Sequence, residues 1–87
     1  MKIPKKIKVG ATIFTVEIVD EIEKGWSGLT THSDLIIKIK SGKKMAMEHT
    51  FYHELFHALQ GGMDEVLVEA LAGRLHSFIK DNPGVFK

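Results

Sequence analysis

Two short stretches near the start of the chain alternate apolar with polar positions, and a longer stretch after residue 42 does not. Lys5–Val9 and Thr12–Val19 mix β-branched residues with near-alternation around Gly10-Ala11, which predicts a β-hairpin over 5–9 and 12–19. Leu35–Lys40 alternates at its end and predicts a third strand, broken by Ser41-Gly42. Between them, residues 20–33 are rich in Gly, Ser and Thr and read as a loop anchored by Trp26. From Lys43 to Gln60 there is neither Gly nor Pro, so a helix is expected there, stopped by a left-handed Gly61-Gly62. Asp64 is the expected N-cap of a second helix, with Glu65 in its first turn, running to about Lys80 before Asp81-Asn82-Pro83-Gly84. Strands first and helices after predict an α+β domain with an antiparallel sheet.

On the first helix, His49, Thr50, His53, Glu54, His57 and Gln60 share one arc, and Phe51, Leu55, Phe56, Leu59, Met45 and Met47 occupy the rest. The arc contains His53-Glu54-Leu55-Phe56-His57. Helical residues four apart are separated by about 6 Å along the axis and about 40° around it, so both imidazoles can converge on one ion. Glu54 then stands beside the ion, able to act on a bound water, which is why His-Glu-x-x-His recurs in metallopeptidases.

A catalytic zinc usually has three protein ligands, so a third is sought downstream among Glu65, Glu69 and His76. Glu69 is the one polar residue in Val66–Ala72, which predicts a buried carboxylate in need of a partner. Glu69 and the histidine pair also lie at similar distances from the Gly61-Gly62 corner, about 8–9 Å at 1.5 Å per residue. Glu69 is therefore preferred as third ligand and Glu65, which has a capping explanation, is the alternative. His76 lies about 10 Å beyond Glu69 and His49 about 12 Å from His57, so both are expected at the surface or behind the ligands. His32 and Asp34 could reach a cleft rim, though nothing in the sequence places them there.

Composition narrows the chemistry. With no cysteine among 87 residues, a metal must be held by His, Asp or Glu, and disulfides and thiol nucleophiles are excluded. An apolar content of 44% suits one domain spanning 1–87, whose small core a bound metal would reinforce. A net charge of +1 argues against a dedicated nucleic-acid binder. The lysines at 2, 5, 6 and 8 read first as protection of an edge strand. No signal peptide and no membrane span is legible, so a cytoplasmic protein is expected.

The segment Thr50–Leu59 followed by Val68-Glu69-Ala70-Leu71-Ala72 resembles small metallopeptidases of phages and mobile elements, the minimal gluzincins: minigluzincins and, more distantly, ImmA/IrrE proteins. That resemblance implies Zn2+ held by His53, His57 and Glu69, with Glu54 as general base in hydrolysis of a peptide or protein substrate. It also implies a three-stranded antiparallel sheet packed on the motif helix, with a second helix carrying the third ligand and Leu35–Lys40 lining the cleft and pairing with substrate. The alternative is a catalytically inactive, zinc-stabilised binding or regulatory module, with the tail Asp81–Lys87 folded over the cleft. A third reading uses Lys2–Lys8 to bind nucleic acid in a salt-dependent way.

Overall fold

A computed structural model describes residues 2–85. The fold is α+β: β1 (Lys6–Val9), β2 (Thr12–Val19), β3 (Gly28–Thr31) and β4 (Ile36–Lys40), then α1 (Lys44–Leu59) and α2 (Glu65–Asp81). Gly10 takes φ 61°, the positive value that a two-residue hairpin turn with glycine first requires, and Val9 pairs with Thr12 across it.

The sheet differs from the expected one. It is four-stranded and mixed, in the order β1-β2-β4-β3, not three-stranded and antiparallel. The segment read as a loop contains a one-turn 3-10 helix at Glu23–Gly25 and the short strand β3. β3 and β4 form an antiparallel hairpin, and β4 inserts between β3 and β2, parallel to β2 with Val16 opposite Ile37. Central placement explains why Ile37 and Ile39 have no exposed surface, and burying each contributes roughly 1.5–3 kcal/mol. It also takes β4 away from the sheet edge: the edges are β1, where the lysine stripe lies, and β3.

One face of the sheet supplies Phe14, Val16, Ile37 and Ile39 to the core, and α1 supplies Phe51, Tyr52 and Ala58. α1 packs against β3 and β4 on one side and α2 on the other. Its polar arc is partly covered, with Glu54 buried in it at 6% exposure, and Glu48, outside that arc, is buried at 8% where α2 packs. α2 is held through a narrow stripe led by Val68 and Ala72, leaving Val66 and Leu67 exposed. Glu69 lies outside that stripe, and its side chain is 58% exposed, not buried as its apolar neighbours suggested.

Both helix boundaries fall within a residue or so of expectation, and Asp64 caps α2, its Oδ2 accepting the Leu67 N–H at 3.1 Å. The end of α1 is made differently. Gln60 turns extended at φ −148°, and neither Gly61 nor Gly62 is left-handed. Among the described residues no helix is long and apolar enough to cross a membrane. Of the tail that the alternative reading folds over the cleft, Phe86 and Lys87 lie outside the described residues, and Val85 is exposed and not among the cleft walls.

Candidate metal centre

His49, His53 and His57 follow one another at successive helical turns of α1, and the first two turns of α2 bring Glu65 and Glu69 against them. Glu65 Oε1 stands 3.0 Å from His53 Nε2, and Glu65 Oε2 stands 2.9 Å from His57 Nε2. These three residues offer ligand atoms that all lie within 4.8 Å of one another. Two imidazoles and a carboxylate are a donor set that zinc accepts, with Nε2 of both rings turned to the same point.

Glu69 meets the other side of the same ring. Its Oε2 is 3.4 Å from His53 Nδ1, while its Oε1 pairs with His49 Nε2. Thus the residue weighed second in the sequence, Glu65, faces both histidines through Nε2, and Glu69 faces His53 from behind and His49. Both arrangements follow from their i, i+4 spacing, which puts two carboxylates on one face of α2. The two hydrogen bonds from His53 and His57 outweigh the effect of burial on Glu65, holding its carboxyl below the usual range.

Glu54, on the flank of the same arc of α1, turns towards β3. Thr30 Oγ1 donates to Glu54 Oε1 at 2.7 Å. Gly28 lies against the same carboxylate: a Cβ there would fall 2.7 Å from Glu54 Oε2 and 2.6 Å from Thr50 Cγ2, so only glycine fits without displacement. Burial raises the pKa of Glu54, and the Thr30 hydrogen bond and the charges of His53 and His57 recover only part of that shift.

A cleft of about 660 Å³ joins these groups, with Trp26, Leu29 and Thr30 on the β3 side and His53, Glu54 and Glu65 on the helical side. His32 lines it as well, stacked edge-on against Phe14 at 5.8 Å between ring centroids. Gly61 borders that ring, and a Cβ there would lie 3.4 Å from His32 Nε2, in ordinary contact. Asp34 is exposed and is not among the cleft walls. His76 is carried elsewhere, 3.1 Å from Glu48 Oε1, with the Tyr52 ring 5.3 Å away.

Sequence reading missed Thr30 and Gly28, because β3 itself was not legible. A glycine and a threonine two residues apart on an edge strand are the only signal they leave. Compared with models of protein families, with curated proteins and with solved structures, the chain gives no match.

Proposed function

We propose that the chain is a zinc-dependent metallopeptidase-like protein of the minimal gluzincin type, with zinc held by His53, His57 and Glu65. The observation that carries this reading is the meeting of His53 Nε2, His57 Nε2 and the Glu65 carboxylate within 4.8 Å, beside a buried glutamate in a cleft. Glu69 orients His53 from its Nδ1 side, the usual task of a carboxylate behind a metal-bound histidine.

Zinc bound there would lower the pKa of a water toward ~7 and polarise a carbonyl. Glu54 takes the proton of the attacking water and returns it to the leaving amine. Its raised pKa suits that exchange, since a general base works best when its pKa lies near the working pH. Thr30 holds the carboxylate in place, and the free edge of β3, not β4, is where an extended peptide would add its main-chain hydrogen bonds.

The test is cleavage of a peptide library by the zinc-loaded chain, read by mass spectrometry, with Glu54→Gln in parallel. Cleavage that stops with chelator and with Glu54→Gln supports the reading; cleavage that survives the substitution removes Glu54 from the mechanism. Zinc uptake with no cleavage would favour the second reading, a zinc-stabilised binding module. That reading draws on the same carboxylate, 6% exposed and already engaged by Thr30.

A further inference from the structure

A second cavity, of about 640 Å³, shares no wall with the metal cleft. Its floor is apolar, built from Ile3, Pro4, Val16, Ile18 and Met47. Ile18 is 51% exposed there although it stands on the core-facing side of β2, in register with the fully buried Ile39. Around that floor stand four exposed lysines: Lys2, Lys5 and Lys6 from the N-terminal segment and Lys44 from the first turn of α1. The single acid among the described residues of the lining, Glu48, is buried and paired with His76.

We propose that this groove binds a free amphiphilic anion, a molecule with an acyl or similarly apolar body and one carboxylate or phosphate head. Its volume falls in the range of about 300–1,000 Å³ typical of small-ligand sites. Its charge selects an anion, and its floor selects what the anion is attached to. A peptide fits the lining less well: each residue brings an N–H and a C=O that need partners, and among the described residues Thr15 is the one neutral hydrogen-bonding side chain in the wall. An acyl chain makes no such demand. Burying its methylenes gains about 0.8 kcal/mol each, and the lysines meet the head at the rim.

The site is independent of zinc, so it is tested on the intact chain with chelator present, titrating dodecanoate below its micelle concentration by calorimetry and NMR. Saturable binding of one dodecanoate per chain is expected, with shifts at Val16, Ile18 and Met47. Ile18→Glu, at an exposed position, should weaken binding at least about tenfold by placing a charge on the apolar floor. Lys5→Glu with Lys44→Glu, both on the surface, should weaken it several-fold, and dodecanol should bind less well than dodecanoate. The proposal is overturned by no saturable binding, by binding that neither set of substitutions changes, or by equal affinity for the alcohol. It is overturned equally if only anionic phospholipid vesicles or an acidic peptide bind.

Discussion

Helix α1 buries two glutamates to nearly the same degree, Glu48 at 8% exposure and Glu54 at 6%, and the structure pushes their protonation in opposite directions. For both, burial is the largest influence and raises the pKa. At Glu48 the hydrogen bond from His76 and nearby positive charge, Lys44 included, overcome it, and the carboxyl ends below its usual value. At Glu54 the hydroxyl of Thr30 and the two more distant histidines do not, and the carboxyl ends above it. Burial alone therefore does not mark a working carboxylate. Glu48 has an imidazole within hydrogen-bonding distance and serves the packing of α2 on α1. Glu54 is left with a neutral partner beside the histidine pair.

The largest effect that would sharpen this contrast is on chemistry. Glu54→Gln is expected to lose about 10²–10⁴-fold in peptide hydrolysis while retaining zinc, since a positioned general base contributes that much. Glu48→Gln should leave turnover of the folded protein near wild type. Equal loss in both would erase the distinction.

Stability should respond the other way round. His76→Ala takes the imidazole from a buried carboxylate and is expected to cost about 1–3 kcal/mol by denaturant unfolding. Glu54→Gln should instead stabilise the metal-free protein modestly, because it removes a buried charge and keeps an oxygen for Thr30. A destabilised Glu54→Gln would mean that the carboxylate is structural.

The pH dependence of stability separates the pair by sign. Glu48, with its folded pKa depressed, contributes stability that is present above its unfolded pKa and lost as pH falls through the folded value. Glu54, with its folded pKa raised, contributes stability that is present below its unfolded pKa and lost as pH rises through the folded value. Relative to wild type without metal, Glu48→Gln should flatten the loss of thermal stability on the acid side. Glu54→Gln should flatten the loss above the ordinary carboxylate range. Parallel profiles for the two variants would contradict the assignment.

Gly28→Ala probes the same glutamate from the β3 side, on a scale like that of His76→Ala. The added methyl meets Glu54 and Thr50, and the expected cost is about 1–3 kcal/mol, the usual range for overpacking, with hydrolysis falling further than stability because Glu54 must move. An unchanged protein would mean that the approach of β3 to Glu54 is looser than the structure has it.

What was legible in the sequence is what depends on local spacing. The His53–His57 pair, the two helices and the Asp64 cap all follow from residues within a turn or two of one another. β3 was not legible, because Gly28-Leu29-Thr30-Thr31 is short, sits in a Gly- and Ser-rich stretch, and is a strand only through its pairing with β4. With β3 unseen, β4 looked like an edge and the partners of Glu54 stayed hidden. The choice between Glu65 and Glu69 was not legible either. Four residues apart on one face of α2, they differ by about 6 Å along the axis, and which of them meets both histidines depends on where α2 docks on α1. The exposure of Glu69 has the same origin, since α2 is held by one stripe and its apolar flanks stay in solvent.

The most direct test is zinc titration by calorimetry of the wild type, Glu65→Gln and Glu69→Gln. One zinc per wild-type chain is expected, with the larger loss of affinity in Glu65→Gln and a loss of about 10–100-fold in Glu69→Gln, as befits a residue that orients His53. No zinc uptake by the wild type, or a site that survives Glu65→Gln and is abolished by Glu69→Gln, would contradict the His53, His57, Glu65 centre.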